Sequence, residues 1–334
     1  MIIKTKAYAR AALIGNPSDG YFGKTISFTF SNFAATVILY ESPELEIIPT
    51  ERDGSTFQSI DALMEDVRLF GYYGGIRLLK AAIKTFRQYT LENGIEIDKR
   101  NFTIRYESNI PNLVGLSGSS AIITACFRAL MAFYGVTIPK PELANIIRAT
   151  EQKELGITAG LQYRVIQVYE GLVYMDFDKK LMDKQGHGNY VELNPSILPN
   201  LYIAYRTDLS EISDIFHNNI RARFEAGEKE IVDAMKYWAD ITDEGRDCLL
   251  SKDYDKLSEL MNSNFDLRAK LYKLSEGNLR MVKVARECGA SAKFTGSGGA
   301  IVGIYKDEAM FELLKEQLGK YSVEVIKPKI VKSN

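Results

Sequence analysis

Residues 109–121 combine glycines and small hydroxyl residues directly before an apolar run. The segment reads Asn-Ile-Pro-Asn-Leu-Val-Gly-Leu-Ser-Gly-Ser-Ser-Ala, and the residues after it predict a buried helix over 119–134. Glycines let a backbone approach an anion closely, and the free N–H groups and dipole of a following helix favour phosphate. The segment therefore predicts a phosphate-binding loop. A tight strand-to-helix turn capped by Ser117 or Ser119 explains the same residues equally well.

A second glycine-rich segment, 15–23, precedes a β-rich stretch. It runs into Gly-Lys-Thr like the phosphate loop G-x-x-x-x-G-K-[ST], but Ser18 replaces the first glycine and no helix is predicted to follow. Asp19 would also direct a negative charge at phosphates. We therefore exclude that type of phosphate loop.

A third segment, 293–302, is an apolar strand interrupted by three glycines. Such glycines predict close approach of the backbone to a ligand or to another loop, and a bulge or tight hairpin is an equal alternative. Three separated Gly/Ser loops in one chain, at 15–23, 115–121 and 295–299, favour joint ligand binding over unrelated turns.

Composition and charge limit the class of protein. The 334 residues suggest two domains, and 42 Lys and Arg against 43 Asp and Glu exclude a strongly basic, nucleic-acid-binding surface. Three distant cysteines and two histidines argue against disulfides and a zinc site. The N-terminus lacks the apolar run of a signal peptide, and the longest uncharged stretch, 109–127, contains proline and glycines. We therefore expect a soluble cytoplasmic protein with no membrane partner.

Periodic patterns predict the elements that must position these loops. Helices are predicted over 76–91, 119–134, 141–153, 212–226, 229–250, 254–273, 276–288 and 308–318. Strands are predicted over 25–40, 102–107, 172–177, 201–205, 292–305 and 322–326. The polar stretch 179–189 is predicted to be a linker or surface loop. Strands bracketing helices in each half indicate two α+β sandwiches.

The three loops resemble, in order, the three motifs of the GHMP kinase superfamily, which phosphorylates galactose, homoserine, mevalonate and related small alcohols. Residues 10–19 resemble motif 1, residues 111–121 motif 2 (P-x-x-x-G-L-x-x-S-S-A), and residues 295–299 motif 3. The chain is most similar to the glucuronokinase subgroup in Gly-Asn-Pro-Ser-Asp at 15–19, Tyr-Gly-Gly at 73–75, Gly-Leu-Gln at 160–162 and Val-Tyr-Met-Asp-Phe at 173–177.

The resemblance implies an α+β fold of two domains. Residues 1–180 would form a domain like the second domain of ribosomal protein S5, with motifs 1 and 2, and residues 181–334 a ferredoxin-like domain with motif 3. ATP and sugar would lie between them. It also implies an ATP-dependent kinase that transfers the γ-phosphoryl group to the anomeric hydroxyl of a uronic acid, above all D-glucuronate, to give D-glucuronate 1-phosphate. The resemblance is compatible with both a monomer and a homodimer.

The resemblance also implies the residues that would bind Mg²⁺ and ATP. Ser120 and Glu151 would hold Mg²⁺, which takes one or two protein oxygens when it is bound to nucleotide phosphates. Glu151 could instead be a solvated residue near a helix C-terminus. The residues that would cradle ATP phosphates are Pro111, Gly115, Leu116, Ser117, Gly118, Ser119, Ser120 and Ala121.

For the sugar, the resemblance implies hydrogen bonds from its hydroxyls to Asp19, and catalysis by Arg10 near the transferred phosphoryl group. A uronate carboxylate in a closed site needs a charged partner or several N–H donors. Arg164 and Lys24 are the candidate cations, although each could equally face solvent. The residues expected to bind substrate are Asp19, Gly20, Tyr21, Gln162, Arg164, Gly296 and Ser297.

Tyr163 is a departure from the family pattern. It stands after Gly-Leu-Gln, where the resemblance implies an aspartate that takes the proton of the attacking hydroxyl. The chain could work without a strong base, Arg10 and Mg²⁺ could activate Tyr163 or the sugar, or activity could be lost with the aspartate. We expect weak or moderate kinase activity. A kinase of a neutral hexose, pentose or heptose, and a non-catalytic sugar- or nucleotide-binding homologue, are the alternatives.

Overall fold

The computed structural model describes residues 2–50, 53, 59, 64, 74–158, 160–207 and 220–332. The chain divides into two compact units that interleave along the sequence. The first unit comprises Met1–Ala9, Phe33–Ile110 and Ser117–Val168, and the second comprises Arg10–Asn32, Pro111–Leu116 and Tyr169–Asn334. The domain boundary near residue 180 stays a prediction.

The described residues form ten β-strands and ten α-helices. The strands are β1 (Ile2–Ile14), β2 (Lys24–Ser42), β3 (Glu46–Ile47), β4 (Asn101–Ser108), β5 (Leu172–Asp176), β6 (Asn189–Leu193), β7 (Leu201–Arg206), β8 (Lys293–Phe294), β9 (Ala300–Ile304) and β10 (Val323–Ile326). The α-helices are α1 (Gly75–Glu92), α2 (Gly118–Tyr134), α3 (Lys140–Ala149), α4 (Gln162–Tyr169), α5 (Lys179–Gln185), α6 (Ile220–Glu225), α7 (Lys229–Ser251), α8 (Tyr254–Leu271), α9 (Glu276–Glu287) and α10 (Glu308–Gly319). A π-helical turn, Thr150–Glu154, extends α3.

The core of the first unit lies between its strands and the helices α1 and α2. Residues 35–42 of β2 pair with β4 in antiparallel register, and β3 pairs with β4 in parallel register. The rings of Phe86 in α1 and Phe127 in α2 have centroids 6.2 Å apart. Eleven of the 17 residues of α2 are buried, most of them apolar, so this helix is anchored in the core of the first unit.

The second unit contains strands from both ends of the chain. Residues 24–28 of β2 pair with β5, and β5 pairs with β6, all antiparallel. A second sheet has the strand order β10-β7-β9-β8. Side chains of α8, α9 and α10, including Phe265, Met281 and Leu314, pack with the apolar residues of this sheet in one buried cluster.

These elements confirm the predicted α+β class and most predicted helices. Two predictions were wrong. The polar stretch 179–189 forms α5 and the start of β6, because the Asp178 side chain accepts hydrogen bonds from the N–H groups of Lys180 and Leu181, and Gly186 ends the helix with a positive φ. The single strand predicted over 292–305 is a pair of antiparallel strands, β8 and β9, which confirms the hairpin given as the alternative for this segment.

Parts of two further predictions lie outside the described residues. The helix predicted over 212–226 is described only as α6, and Tyr73 of the Tyr-Gly-Gly sequence is not among the described residues. None of the helices in the described ranges is long and apolar enough to cross a membrane.

Candidate functional site

Arg10 joins parts of all three sequence motifs in the second unit. It is fully buried in β1. Its Nη1 donates a hydrogen bond to the carbonyl of Thr295, and its Nη2 donates to the carbonyl of Gly115 at 2.9 Å. The N–H of Ala12 also donates to the Thr295 carbonyl, at 2.9 Å. Segments 10–19, 111–116 and 295–299, which are far apart in sequence, are therefore neighbours.

Two glycines make the approach of these loops possible. Gly115 has φ +67°, and a Cβ atom there would lie 2.7 Å from the carbonyl oxygen of Gly298. Gly299 has φ +79°, and a Cβ atom there would lie 2.8 Å from the Cα of Val114. Any larger residue would meet both backbone strain and a clash with main-chain atoms. Gly115 of motif 2 and Gly299 of motif 3 are thus required by the packing of the two loops against each other.

Four successive carbonyls of the 294–297 segment accept hydrogen bonds from buried cations. Lys293 donates to Phe294 at 2.8 Å, Arg10 to Thr295, and Arg268 to Gly296 at 2.8 Å and to Ser297 at 3.2 Å. The C=O and N–H of one peptide point in opposite directions. The peptide N–H groups of Gly296, Ser297 and Gly298 are therefore directed away from the three cations. Gly296 is buried and Ser297 is exposed.

Lys293 carries its ammonium group inside the second unit. Its side chain is 1% exposed. The acceptors of its Nζ are the carbonyls of Ala12 and Phe294, at 2.9 and 2.8 Å, and the Oδ1 of Asn16, at 2.6 Å. Burial, followed by the positive charges of Arg268 and Arg10, lowers the pKa of Lys293 well below its usual value. This lysine connects motif 1 to the start of motif 3.

The turn of motif 1 is held by an asparagine of α8. The N–H of Gly15 donates to the Oδ1 of Asn264 at 2.7 Å, and the Nδ2 of Asn264 donates to the carbonyl of Asn16 at 2.9 Å. A short 3₁₀ turn, Ser18–Tyr21, follows and places Asp19 and Gly20 at partly exposed positions. The chain then enters β2 rather than a helix, which confirms the exclusion of the G-x-x-x-x-G-K-[ST] loop.

Motif 2 continues in the first unit at the N-terminus of α2. Ser117 has φ 69° and its side chain makes no capping hydrogen bond to the helix. Its carbonyl instead accepts hydrogen bonds from the Nε2 of Gln167 at 3.0 Å and from the Oγ of Ser120 at 3.3 Å. The Ser117 side chain therefore does not occupy the N–H groups at this helix end, and the cap predicted for it as an alternative is wrong.

Glu151 is buried beside the same helix end. Its side chain is fully buried, so the alternative of a solvated glutamate is wrong. Oε1 accepts a hydrogen bond from the Oγ of Ser119 at 3.0 Å, and Oε2 accepts from the Nε and Nη2 of Arg164. Arg164 is 4% exposed and its Nη1 donates to the carbonyl of Gly160 at 3.0 Å. The structure thus brings Glu151 to motif 2, through Ser119 rather than Ser120.

The oxygens at this helix end have the chemistry that Mg²⁺ requires. Ser120 supplies a hydroxyl and Glu151 a carboxylate, both hard oxygen ligands. No group of three or more His, Cys, Asp or Glu that could hold a metal occurs within the described ranges. A metal held mainly by nucleotide phosphates and waters needs only one or two protein oxygens, so this donor set fits Mg²⁺ bound to ATP.

Gln162 and Tyr163 lie in the first turn of α4. The Gln162 side chain is fully buried, and neither its Nε2 nor its Oε1 has a hydrogen-bond partner among the described residues. A buried amide without partners costs about 1–3 kcal/mol, so its presence indicates a ligand or water at this position. The half-buried Tyr163 ring has the guanidinium carbon of Arg164 5.3 Å from its centre.

Sequence reasoning missed Asn264, Arg268 and Gln167, which hold the loops by their side chains. A signal existed for the first two. They continue the apolar face of α8, which is formed by Leu257, Leu260 and Met261. Polar residues at core positions of an amphipathic helix need buried partners, and here the partners are main-chain atoms of motifs 1 and 3.

Two family models match the chain. The model of the GHMP kinases N terminal domain matches residues 77–171, and the model of the GHMP kinases C terminal domain matches residues 246–323. The first match includes motif 2 and Glu151, and the second includes motif 3.

Two curated relatives are similar over almost their whole length. The chain is 45% identical to Glucuronokinase 1 of Arabidopsis thaliana over 324 residues, which are 95% of this chain and 89% of that protein. It is also 45% identical to Probable glucuronokinase 2 of the same organism, over 98% of this chain and 91% of that protein.

Solved structures share the fold at lower identity. Lactococcus lactis galactokinase complexed with galactose has a TM-score of 0.76 and 14% identity, over 99% of this chain and 94% of that chain. Mevalonate kinase of Methanococcus jannaschii has a TM-score of 0.70 and 22% identity, over 99% and 98%. With the two family models and the 45% identical relatives, these findings establish that the chain belongs to the GHMP kinase family.

Proposed function

We propose that this protein is an ATP-dependent sugar 1-kinase that converts D-glucuronate to D-glucuronate 1-phosphate. The observation that carries the proposal is the 45% identity to Glucuronokinase 1 over 95% of the chain. The motif 1 sequence Gly-Asn-Pro-Ser-Asp and the sequence Gly-Leu-Gln before Tyr163 support the same subgroup. The reaction transfers the γ-phosphoryl group of ATP to the anomeric oxygen, whose proton is lost.

ATP phosphates would bind to the motif 2 loop and to the start of α2. The first N–H groups of an α-helix have no partner within the helix, and together with the helix dipole they favour phosphate oxygens. Gln167 holds the Ser117 carbonyl at 3.0 Å and so positions the loop. The residues to which we assign this role are Pro111, Gly115, Leu116, Ser117, Gly118, Ser119, Ser120 and Ala121.

Mg²⁺ bound with ATP would be held by Ser120 and Glu151. When bound, it neutralises the charge that develops on the phosphates during transfer. Arg164 and Ser119 orient the Glu151 carboxylate, one on each oxygen. Because Arg164 has this buried partner, the sequence-based assignment of Arg164 to the sugar gains no support from its contacts.

Sugar hydroxyls would bind to Asp19 and to the amide of Gln162. Asp19 lies in the partly exposed turn of motif 1. Gln162 is buried without hydrogen-bond partners among the described residues, so a substrate hydroxyl would satisfy it. Gly20, Tyr21, Gly296 and Ser297 are assigned to substrate by their place in motifs 1 and 3. Arg10 is assigned to the region of the transferred phosphoryl group, and its side chain donates hydrogen bonds to the carbonyls of Gly115 and Thr295.

Tyr163 determines how the proton of the anomeric hydroxyl leaves. A tyrosine at this place lacks the carboxylate that the resemblance implies as the base for this hydroxyl. An anomeric hydroxyl is more acidic than an ordinary alcohol, and a loose transition state needs little early deprotonation. Turnover is therefore slow but not abolished. The tyrosine also favours one second candidate, a homologue that binds sugar and nucleotide without catalysis.

The experiment that tests the proposal is an ADP-release assay over a panel of free sugars and uronic acids, with and without Mg²⁺. We expect Mg²⁺-dependent ADP release that is much faster with glucuronate than with any neutral sugar. The product should carry its phosphate on the anomeric carbon, which ³¹P and ¹H NMR identify. Binding of ATP and glucuronate without ADP release would favour the non-catalytic candidate, and a preference for a neutral sugar would contradict the proposed substrate.

A further inference from the structure

A uronate carboxylate in a closed site needs a cationic partner or several N–H donors, and this requirement rests on the proposed function. Both cations suggested by the sequence already have acidic partners. Lys24 has Asp243 at 2.6 Å and Asp176 at 3.8 Å. Arg164 has the buried carboxylate of Glu151. A second negative group on either would have to compete with a carboxylate of the protein itself.

Arg221 is a cation directly beside the turn of motif 1. It lies in α6, and its Nη2 donates a hydrogen bond to the carbonyl of Gly20 at 3.2 Å. Its guanidinium carbon lies 5.2 Å from the centre of the Tyr21 ring. Its side chain is 62% exposed, whereas that of Lys24 is 27% exposed. Arg221 thus reaches the residue next to Asp19 and remains accessible to a ligand.

The position of Arg221 is set by aromatic packing. The Tyr21 ring also contacts the ring of Phe224, with centroids 5.0 Å apart. Residues three apart on a helix share a face, so Arg221 and Phe224 hold Tyr21 from the same side of α6. Burial raises the pKa of the Tyr21 phenol. The guanidinium is therefore placed before any ligand arrives.

The acidic neighbour of Arg221 is a weak competitor. Its Nη1 lies 3.8 Å from the carboxylate of Glu225, which is 64% exposed and one helical turn away. Exposed pairs of this kind contribute little, because solvent screens them. A carboxylate that approaches the planar fork of a guanidinium can form two parallel charge-assisted hydrogen bonds, which are stronger.

We propose that Arg221 binds the carboxylate of the uronate substrate and selects acid sugars over neutral ones. Its place beside Gly20 and Tyr21 puts this contact next to Asp19, which we assign to the sugar hydroxyls. A neutral hexose presents no anion to the guanidinium. The selection of acid over neutral sugars then depends on the Arg221 side chain, which lies outside the three sequence motifs.

The test compares Arg221→Gln with the wild type on glucuronate and on glucose or galactose. We expect kcat/KM for glucuronate to fall by about 10- to 100-fold, the usual effect of losing a hydrogen bond to a charged group, while kcat/KM for the neutral sugar stays the same or rises. Arg221→Lys, which keeps the charge but not the fork, should give an intermediate loss.

Arg223→Gln is the matched control. Arg223 lies two residues away on α6 and pairs with Glu228 and with Glu230 at 3.1 Å. The Arg223→Gln variant should leave the ratio of kcat/KM for glucuronate to kcat/KM for the neutral sugar unchanged. If Arg221→Gln lowers kcat/KM equally for acid and neutral sugars, Arg221 only packs against Tyr21. If Arg221→Gln changes neither kcat/KM value, the assignment is likewise overturned.

Calorimetric titration of glucuronate separates this inference from the proposed function. We expect wild-type protein to bind glucuronate and Arg221→Gln, folded by circular dichroism, to bind it at least about 10-fold more weakly. If the wild type binds glucuronate without phosphorylating it, the kinase proposal fails while the weakened binding still supports Arg221. If Arg221→Gln binds glucuronate as tightly as the wild type, the Arg221 assignment fails and the kinase proposal stands.

Discussion

Glu151 and Arg164 form a buried ion pair in which two guanidinium nitrogens donate to one carboxylate oxygen, Oε2. The side chains are 0% and 4% exposed. The other oxygen, Oε1, accepts from Ser119 at 3.0 Å. The carboxylate is therefore oriented on both sides before a nucleotide or metal binds, and the two charges depend on each other inside the protein.

Removing the arginine should destabilise the first unit strongly. Arg164→Met leaves a buried carboxylate without its cation, and we expect the free energy of unfolding to fall by about 3–5 kcal/mol. Lys84→Met is the control, because Lys84 is 63% exposed and pairs with Glu154 near the surface. It should change the free energy by less than about 1 kcal/mol. Equal losses in urea unfolding would show that burial of the Arg164 pair has no special importance.

The hydroxyl of Ser120 should set the Mg²⁺ requirement. In Ser120→Ala the metal loses a protein oxygen, so we expect the Mg²⁺ concentration for half-maximal turnover to rise and turnover at limiting Mg²⁺ to fall about tenfold. The midpoint of thermal unfolding should change little, because the Oγ of Ser120 makes only a long hydrogen bond of 3.3 Å to Ser117. An unchanged Mg²⁺ titration would remove Ser120 from the metal site.

Restoring a carboxylate at position 163 should increase turnover. Tyr163→Asp supplies a base that is ionised at neutral pH, so we expect kcat at saturating ATP and sugar to rise about tenfold or more. Tyr163→Phe removes only the hydroxyl and is the matched control, with kcat near that of the wild type if the phenol takes no part. A kcat for the aspartate form that is equal or lower, in a folded protein, would show that position 163 does not hold a missing base.

The buried Lys293 should make stability depend on alkaline pH. Its pKa lies well below 10.5 in the folded protein and returns to that value on unfolding, so between the two values the unfolded chain binds more protons. The free energy of unfolding contributed by Lys293 therefore rises with pH in this window and stops changing above 10.5. The difference in stability between the wild type and Lys293→Met should grow in favour of the wild type from pH 7.5 towards 10, and a constant difference would refute it.

The sequence predicted the helices that have strong apolar periodicity and the loops whose backbone conformation requires glycine. Both ends of the helix predicted over 276–288 lie within one residue of the ends of α9. The Ser275 cap and the apolar spacing that mark this helix are local signals, which a sequence shows directly. Gly115 and Gly299 were recognisable because only glycine suits their positive φ and close contacts. The helix α5 was missed because its exposed polar residues carry no periodic apolar signal.

The sequence did not predict which side chains pair with residues far away in the chain. Arg164 was assigned to a substrate carboxylate, whereas its partner in the structure is Glu151, thirteen positions earlier in the chain. The residue type alone does not show whether an arginine binds a ligand or pairs with a buried carboxylate of the protein. The same holds for Arg268, whose acceptors at Gly296 and Ser297 lie 28 and 29 positions later. Such partners follow from the packing of distant elements and not from local spacing.

The central claim, phosphorylation of an acid sugar at its anomeric hydroxyl, is tested most directly by competition in one vessel. Equimolar glucuronate, galactose and glucose are incubated with the wild-type protein, Mg²⁺ and limiting ATP, and the products are followed by ³¹P NMR. We expect glucuronate 1-phosphate to give the dominant new anomeric phosphate signal. A dominant signal from a neutral sugar phosphate, or consumption of ATP without any sugar phosphate, would contradict it.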